Sequence, residues 1–292
     1  MKKIGVFGVN GVVGRLVLKE LERAEVKAEV QHFGREDLPT PVDIAILCTD
    51  DKISETLASQ LKDKAKFVID MSARFRLDKD VPLVIPEINA NTITKDSWLI
   101  ASPNCTITGL VMALNPLKAK YNLQEVFMCS YQAISGGGKK LLEDFEQESS
   151  LYKANCVPQI GSLQENGYTS EELKCINETR KILALPNIKV RPHTVRVPAL
   201  VGHSLGVSLR AKENFDIKEI PALIASQKGV VCDGKIYTPK EIAGKDEVFV
   251  SRIHLDSEDK NMLHMWITFD NLLKGAALNG RQIAQYLLEK MF

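Results

Sequence analysis

The chain opens with "KKIGVFGVNGVVGRLVLKELERA", and no other stretch restricts its fold as tightly. A short apolar run meets Gly8, Gly11 and Gly14, spaced three apart, and passes at once into an amphipathic pattern carrying Leu16, Leu18 and Leu21. Strand, glycine turn and helix in that order make a βα unit. Glycines there let the backbone turn tightly and approach a pyrophosphate, while the helix N-terminus offers unpaired N–H groups and a partial positive charge. On its own the motif also fits a tight turn that holds no ligand.

The following runs extend the pattern. "AEVQHFG", "DIAILCT", "AKFVIDMS", "PLVIPEI" and "WLIAS" read as further short strands, several continuously apolar as parallel strands covered on both faces are. "DKISETLASQLKDK" reads as a helix with Asp50 or Asp51 as its N-cap. From "EVFMCSYQAISGGGKK" onward, longer alternating strands such as "HSLGVSLRA" and "HMWITFD" imply a mostly antiparallel sheet. The tail, "NLLKGAALNGRQIAQYLLEKMF", is a helix pattern of the sort that packs back onto a first domain. The expectation is an α/β chain with a Rossmann-type doubly wound domain at 1–104, completed by a helix at 273–292, and an α+β domain at 105–272.

Composition sets limits on function. A chain of 292 residues with 45% hydrophobic content can bury a substantial core, and its length suits two domains. Lys and Arg total 38 against 37 for Asp and Glu, so there is no broad field to draw in nucleic acid or an anionic membrane surface. No apolar stretch is long enough to span a bilayer, and the N-terminal run lacks a cleavage site, which places the protein in the cytoplasm. The six cysteines form no CxxC pair and no Cys/His spacing suited to zinc, so no metal is expected and free thiols are.

Which nucleotide the glycine turn would hold depends on the second strand's end. A carboxylate there favours NAD, whereas an arginine favours the 2′-phosphate of NADP. Here the strand ends in Gly34, Arg35, Glu36 and Asp37. Arg35 comes first and favours NADP; either acid would oppose it if the turn swings inward.

One cysteine stands apart. In "ASPNCTITGLVMALNPL", Pro103 forces its predecessor out of helical space, Asn104 is a good cap, and helical periodicity begins at Cys105. Orphan N–H groups and the helix dipole at such a position favour a thiolate. A nucleophilic thiolate needs a proton partner, and His203 stands in "RVPALVGHSLGVSL" at the entrance to a strand, seven residues after Arg196. A lone histidine there reads equally as an ordinary surface residue.

Taken in order, "GVFGVNGVVG", "FRLDKDVPLVIPEIN", "SPNCTITGLVMAL", "YQAISGGG", "EELKCINETRKIL", "RVPALVGHS" and "DNLLKGAALN" resemble the aspartate-β-semialdehyde dehydrogenase family over nearly the whole chain. The resemblance implies that Cys105 forms an acyl thioester, that His203 is the general acid/base, and that Gln132 orients the substrate. It implies that Glu171 and Arg196 hold the substrate's amino and carboxylate groups, the guanidinium gripping in a fork. Arg76 and Lys174, helped by Asn104, match the phosphate-binding positions. Gly8, Asn10, Gly11, Val12, Val13, Gly34, Arg35, Ser135, Gly136 and Asn271 fall at NADP-contacting positions. The family's activity is reductive dephosphorylation of β-aspartyl phosphate to the semialdehyde, on the way to lysine, threonine and methionine. Its members are homodimers or homotetramers built through the second domain.

The chain also departs from that family. It is shorter than usual, "FGREDLPT" lacks the hydroxyl residue often found beside the 2′-phosphate, and Leu205 stands where glutamate is common. N-acetyl-γ-glutamyl-phosphate reductase shares the fold and chemistry, but its cysteine usually follows glycine rather than Asn104. Glyceraldehyde-3-phosphate dehydrogenase differs in the residues flanking its cysteine. A catalytically silent nucleotide sensor would have no reason to keep Cys105, Gln132, Arg196 and His203 together.

Overall fold

Continuous apolar runs in the first hundred residues become the strands of a parallel sheet. The structure, a computed structural model describing residues 1–292, divides into two compact units, Met1–Asn104 with Ala276–Phe292 and Cys105–Gly275. In the first unit, β1 (Lys2–Phe7), β2 (Ala28–Phe33), β3 (Val42–Leu47), β4 (Ala65–Asp70) and β5 (Leu99–Ala101) lie in the order β2-β1-β3-β4-β5, all parallel. Helices α1 (Val12–Arg23), α2 (Asp51–Leu61) and the short α3 (Pro86–Asn89) complete the N-terminal part. Ile4, Val6, Ile44, Ile46 and Ile69 pack against Val17 and Leu21 of α1, while Phe7, Ala45, Leu47 and Val68 pack with Ala58 and Leu61 of α2. Both faces of the sheet are thereby covered, and each fully buried large side chain contributes about 1.5–3 kcal/mol.

Local signals account for much of this. Asp50 caps α2, its carboxylate accepting the Ile53 N–H at 3.0 Å. "PLVIPEI" departs from expectation. It is not a strand of the sheet: Leu83 makes one isolated bridge to Ala101, and Pro86 opens α3. Pro82 and Pro86 lack the N–H donors that a full ladder needs, so pairing stops after the bonds of Val84 and Pro82 with Ala101.

The second unit is built on a mixed sheet. Its strands are β6 (Leu123–Gln132), β7 (Lys189–Arg196), β8 (His203–Ala211), β9 (Val230–Val231), β10 (Val248–Leu255) and β11 (Met262–Phe269), in the order β7-β6-β8-β11-β10-β9. The β6–β7 and β9–β10 pairings are parallel and the other three antiparallel. Helix α4 (Cys105–Lys118) packs against β6, β10 and β11, and also against α6 (Ser170–Leu183) and α7 (Ile220–Ala225). That enclosure explains why α4 is apolar all round, from Ile107 and Leu110 through Leu117. Helices α5 (Gly138–Glu146) and α8 (Pro239–Ile242) are peripheral, and the sheet's other face leaves Phe127 and Tyr131 exposed.

The tail does not begin as a regular helix. Asp270 accepts the N–H groups of Leu272 and Leu273, and residues Leu273–Ala277 make a π-helical turn before α9 (Leu278–Lys290). Ile283, Ala284 and Leu287 of α9 join the first unit's core beside Val17 and Leu21. No helix is long and apolar enough to cross a membrane.

Candidate active site

In the second unit, topology brings distant residues together. Parallel β6 and β7 end with Gln132 and Arg196, paired in register, at the edge where antiparallel β8 begins with His203. Helix α4 starts there with Cys105. Its Sγ lies 3.4 Å from His203 Nε2, with the thiol half-buried and the imidazole fully buried. His203 is therefore no surface residue.

The backbone of Ala133 clamps two of these side chains. Its N–H donates to His203 Nδ1 at 3.1 Å, and its carbonyl accepts from Arg196 Nη1 at 2.7 Å. Burial, followed by the nearby Arg196 charge, holds the His203 imidazole well below its usual pKa. Burial also lowers the Arg196 guanidinium, while Cys105, Glu171 and Tyr152 pull the other way. By the same Coulomb interaction Arg196 favours a charged Cys105 sulfur.

Helix α6 supplies the carboxylate. Thr169 caps it in a reciprocal box with Glu172, whose carboxylate accepts the N–H groups of Thr169 and Thr194 at 2.8 and 3.1 Å and so ties the helix to β7. Buried Glu171 then receives Gln132 Nε2 at 3.3 Å and Lys174 Nζ at 3.4 Å. Ser130 Oγ, 3.2 Å away, also engages Gln132. Ser135 and Asn271 bond to each other at 3.0 Å, and Asn271 Oδ1 accepts the Gly202 N–H. Gly136 sits against Arg196 and His203.

The first unit holds a separate cleft of about 230 Å³ at the carboxyl ends of β1 and β3, where the strand order reverses. Gly8, Asn10, Gly11, Gly34 and Arg35 line it. Val12 and Val13 open α1 but do not line it. Gly8 has φ +82°, and a Cβ on it would stand 2.5 Å from the Cys48 carbonyl. Gly11 caps α1 without any side-chain acceptor, so backbone donors face the turn. A glycine cradle with these donors suits a nucleotide pyrophosphate. Asp37 also lines the cleft, its carboxylate bound to the Gly34 N–H at 2.6 Å, while exposed Arg35 makes no ion pair. Arg76 gives Nε to the Ser102 carbonyl and Nη2 to that of Met71, and Asn104 is buried at the junction with Cys105.

Burial raises the other cysteines for which a shift is resolved. The Cys48 thiol is pushed up to about 12, first by burial and then by Asp70, and Cys175 is raised well above the usual thiol range. Three positioning residues were not foreseen. Ala133 acts through its backbone and leaves no residue signature. Glu172 could have been found as the acid of a "TSEE" capping box. Gly275 could have been found as a glycine inside a helical pattern, which marks a close approach; it abuts Cys105.

The first unit's sheet and cleft put the chain among the two-unit nucleotide-binding dehydrogenases. Residues 22–96 match the family described as "Semialdehyde dehydrogenase, NAD binding domain", and residues 114–274 match "Semialdehyde dehydrogenase, dimerisation domain". An aspartate-semialdehyde dehydrogenase of Bacillus subtilis (strain 168) is 33% identical over 97% of this chain and 96% of its own length. One from Aquifex aeolicus (strain VF5) is 33% identical over 99% and 98%. The crystal structure of aspartate semialdehyde dehydrogenase II from Vibrio cholerae, complexed with ASA, superposes with TM-score 0.92 at 28% identity, covering 100% of this chain and 99% of that one. The chain therefore belongs to the aspartate-semialdehyde dehydrogenase family and is an oxidoreductase.

Proposed function

We propose that this protein is an NADP-dependent aspartate-semialdehyde dehydrogenase of the cytoplasm, converting β-aspartyl phosphate to the semialdehyde through a thioester on Cys105. The observation that carries this reading is the thiol at the first position of α4, 3.4 Å from a buried imidazole and beside a guanidinium. Gly8, Asn10, Gly11, Val12, Val13, Gly34 and Arg35 would hold the nucleotide, with Ser135, Gly136 and Asn271 as further contacts. When bound, the nicotinamide supplies the hydride. NADP is favoured because Asp37 is engaged by the Gly34 amide while Arg35 is free to meet a 2′-phosphate.

The chain's own groups then divide the work. The Cys105 thiolate displaces phosphate, and His203 serves as the general acid/base that donates or removes the proton. Arg196 takes the substrate carboxylate, Glu171 its ammonium, and Gln132 orients the carbonyl. Arg76 and Lys174, with Asn104, serve the phosphate. The exposed Phe127 and Tyr131, the latter's ring tilted against Trp266 with centroids 5.3 Å apart, fit an apolar face on which copies meet in a homodimer or homotetramer. The product would feed lysine, threonine and methionine synthesis. The test is phosphate-dependent NADP reduction with aspartate semialdehyde set against N-acetylglutamate semialdehyde. Preference for the first supports the reading, and preference for the second would replace it with the reductase.

A further inference from the structure

The end of β2 is tied to the glycine turn. The Phe33 carbonyl accepts the N–H of Gly8 at 2.9 Å and that of Val9 at 3.4 Å, which holds the next residue, Gly34, beside the first unit's cleft. From there the chain folds back on itself. Asp37 Oδ2 accepts the Gly34 N–H at 2.6 Å and lies 3.3 Å from where a Gly34 Cβ would stand, with Asn10 Nδ2 3.6 Å from the same point. Asp37 Oδ1 has no partner in the chain, and the residue is exposed, so replacing it removes no core packing. The charged side chains lining the cleft are Arg35, Asp37 and Asp50, and the Asp50 carboxylate is turned to the Ile53 N–H as the cap of α2. Glu36 does not line it.

The end of the second strand is where a dinucleotide fold tells a ribose 2′-hydroxyl from a 2′-phosphate. A carboxylate accepts the hydrogen of the hydroxyl, and an arginine pairs with the phosphate. This chain carries both. An ionised carboxylate has two acceptor oxygens and no proton to give, so Asp37 can keep the Gly34 amide on Oδ2 and accept a 2′-hydroxyl on Oδ1. A 2′-phosphate carries roughly two negative charges at neutral pH, meets the like charge of Asp37, and competes with it for the same amide. We propose that Asp37 is the residue that limits how strongly this enzyme prefers NADP: it occupies the backbone donor beside Arg35 and offers the ribose hydroxyl of NAD an acceptor. The inference rests on the reading that this cleft holds the nicotinamide dinucleotide, and it names the side chain that sets the discrimination there. Arg35 attracts the 2′-phosphate and Asp37 opposes it, so NAD is a second working cofactor.

Isothermal titration calorimetry on the full chain tests this without turnover. The ligands form two pairs, NADP with NAD and adenosine 2′,5′-bisphosphate with 5′-AMP, and the members of each pair differ only by the 2′-phosphate. Wild type should bind the phosphorylated member of each pair only a few times more tightly. Asp37→Ala should tighten the phosphorylated members about tenfold, the size of one close like-charge contact relieved near a surface, and weaken the others about tenfold, the size of one hydrogen bond to a charged group. Asp37→Asn, which keeps an acceptor for the amide and drops the charge, should fall between wild type and Asp37→Ala. An Asp37→Ala chain with the wild-type ratio in both pairs, or one that loses affinity for all four ligands alike, overturns the proposal. The NADP reading is tested apart from it, since Arg35→Ala should weaken only the phosphorylated ligands. A wild type that prefers NAD and 5′-AMP, with its selectivity unaltered in Arg35→Ala, removes the NADP reading; the proposal for Asp37 then stands or falls on the ratio in Asp37→Ala alone.

Discussion

Gly275 lies against Cys105, the residue proposed as the nucleophile, with no room for a side chain between them. Replacing it with alanine would set a carbon 2.8 Å from Cys105 Cβ, 3.2 Å from its Cα and 3.4 Å from its carbonyl oxygen. None of these atoms is the far end of a flexible side chain, so either the first turn of α4 or the Leu273–Ala277 segment must move. The 2.8 Å contact is about 0.6 Å inside the 3.4 Å at which ordinary contact begins. If Cys105 takes that movement away from His203, their 3.4 Å contact stretches towards the limit of a hydrogen bond to sulfur and weakens. A displacement of 1 Å costs about a hundredfold in rate, so 0.6 Å should cost about tenfold, or ~1.4 kcal/mol of transition-state stabilisation. Overpacking should also destabilise the fold by about 1–3 kcal/mol. Steady-state kcat/KM with aspartate semialdehyde, phosphate and NADP measures the first effect, and denaturant unfolding measures the second. A folded Gly275→Ala enzyme with wild-type kcat/KM would refute the claim that this glycine seats the thiol.

Arg196→Lys should raise the substrate KM by about tenfold or more, because an ammonium cannot reproduce the fork or reach the Ala133 carbonyl in the same geometry. Steady-state kinetics check it. Glu172→Ala should destabilise the protein by about 2–4 kcal/mol, since it strips acceptors from the buried N–H groups of Thr169 and Thr194; urea unfolding reads the loss. Because burial depresses His203 in the folded state, the unfolded chain binds a proton that the native chain refuses. Stability should therefore hold above about pH 6.5 and fall as pH drops through that value. Asp70, whose carboxyl is raised by burial, acts with the opposite sign, so the decisive quantity is the difference between wild type and His203→Gln.

What the sequence made legible was local. The glycine turn, the Asp50 cap and the helix start at Cys105 each depend on a few neighbouring residues, and their physics survives in a short window. The features it concealed depend on contacts between distant segments. "PLVIPEI" has strand composition, yet its prolines spoil the ladder. His203 looked like a surface histidine because nothing near it in sequence reveals that β6, β7 and β11 close around the start of β8. The apolar circumference of α4 reflects packing on several sides at once. Ala133 was invisible because its contribution is an amide, which almost every residue possesses. Resemblance to the family suggested the side-chain roles proposed above. The geometry then added the backbone clamp that joins Arg196 to His203.

The account depends on Cys105 acting as the acyl acceptor. Intact-mass measurement of the enzyme mixed with β-aspartyl phosphate, with no reduced nucleotide present, tests it most directly. One aspartyl group per chain should appear on the peptide containing Cys105, release phosphate in equal amount, and vanish in Cys105→Ala. An unmodified Cys105 in an enzyme that still turns over, or an adduct that persists in Cys105→Ala, would contradict it.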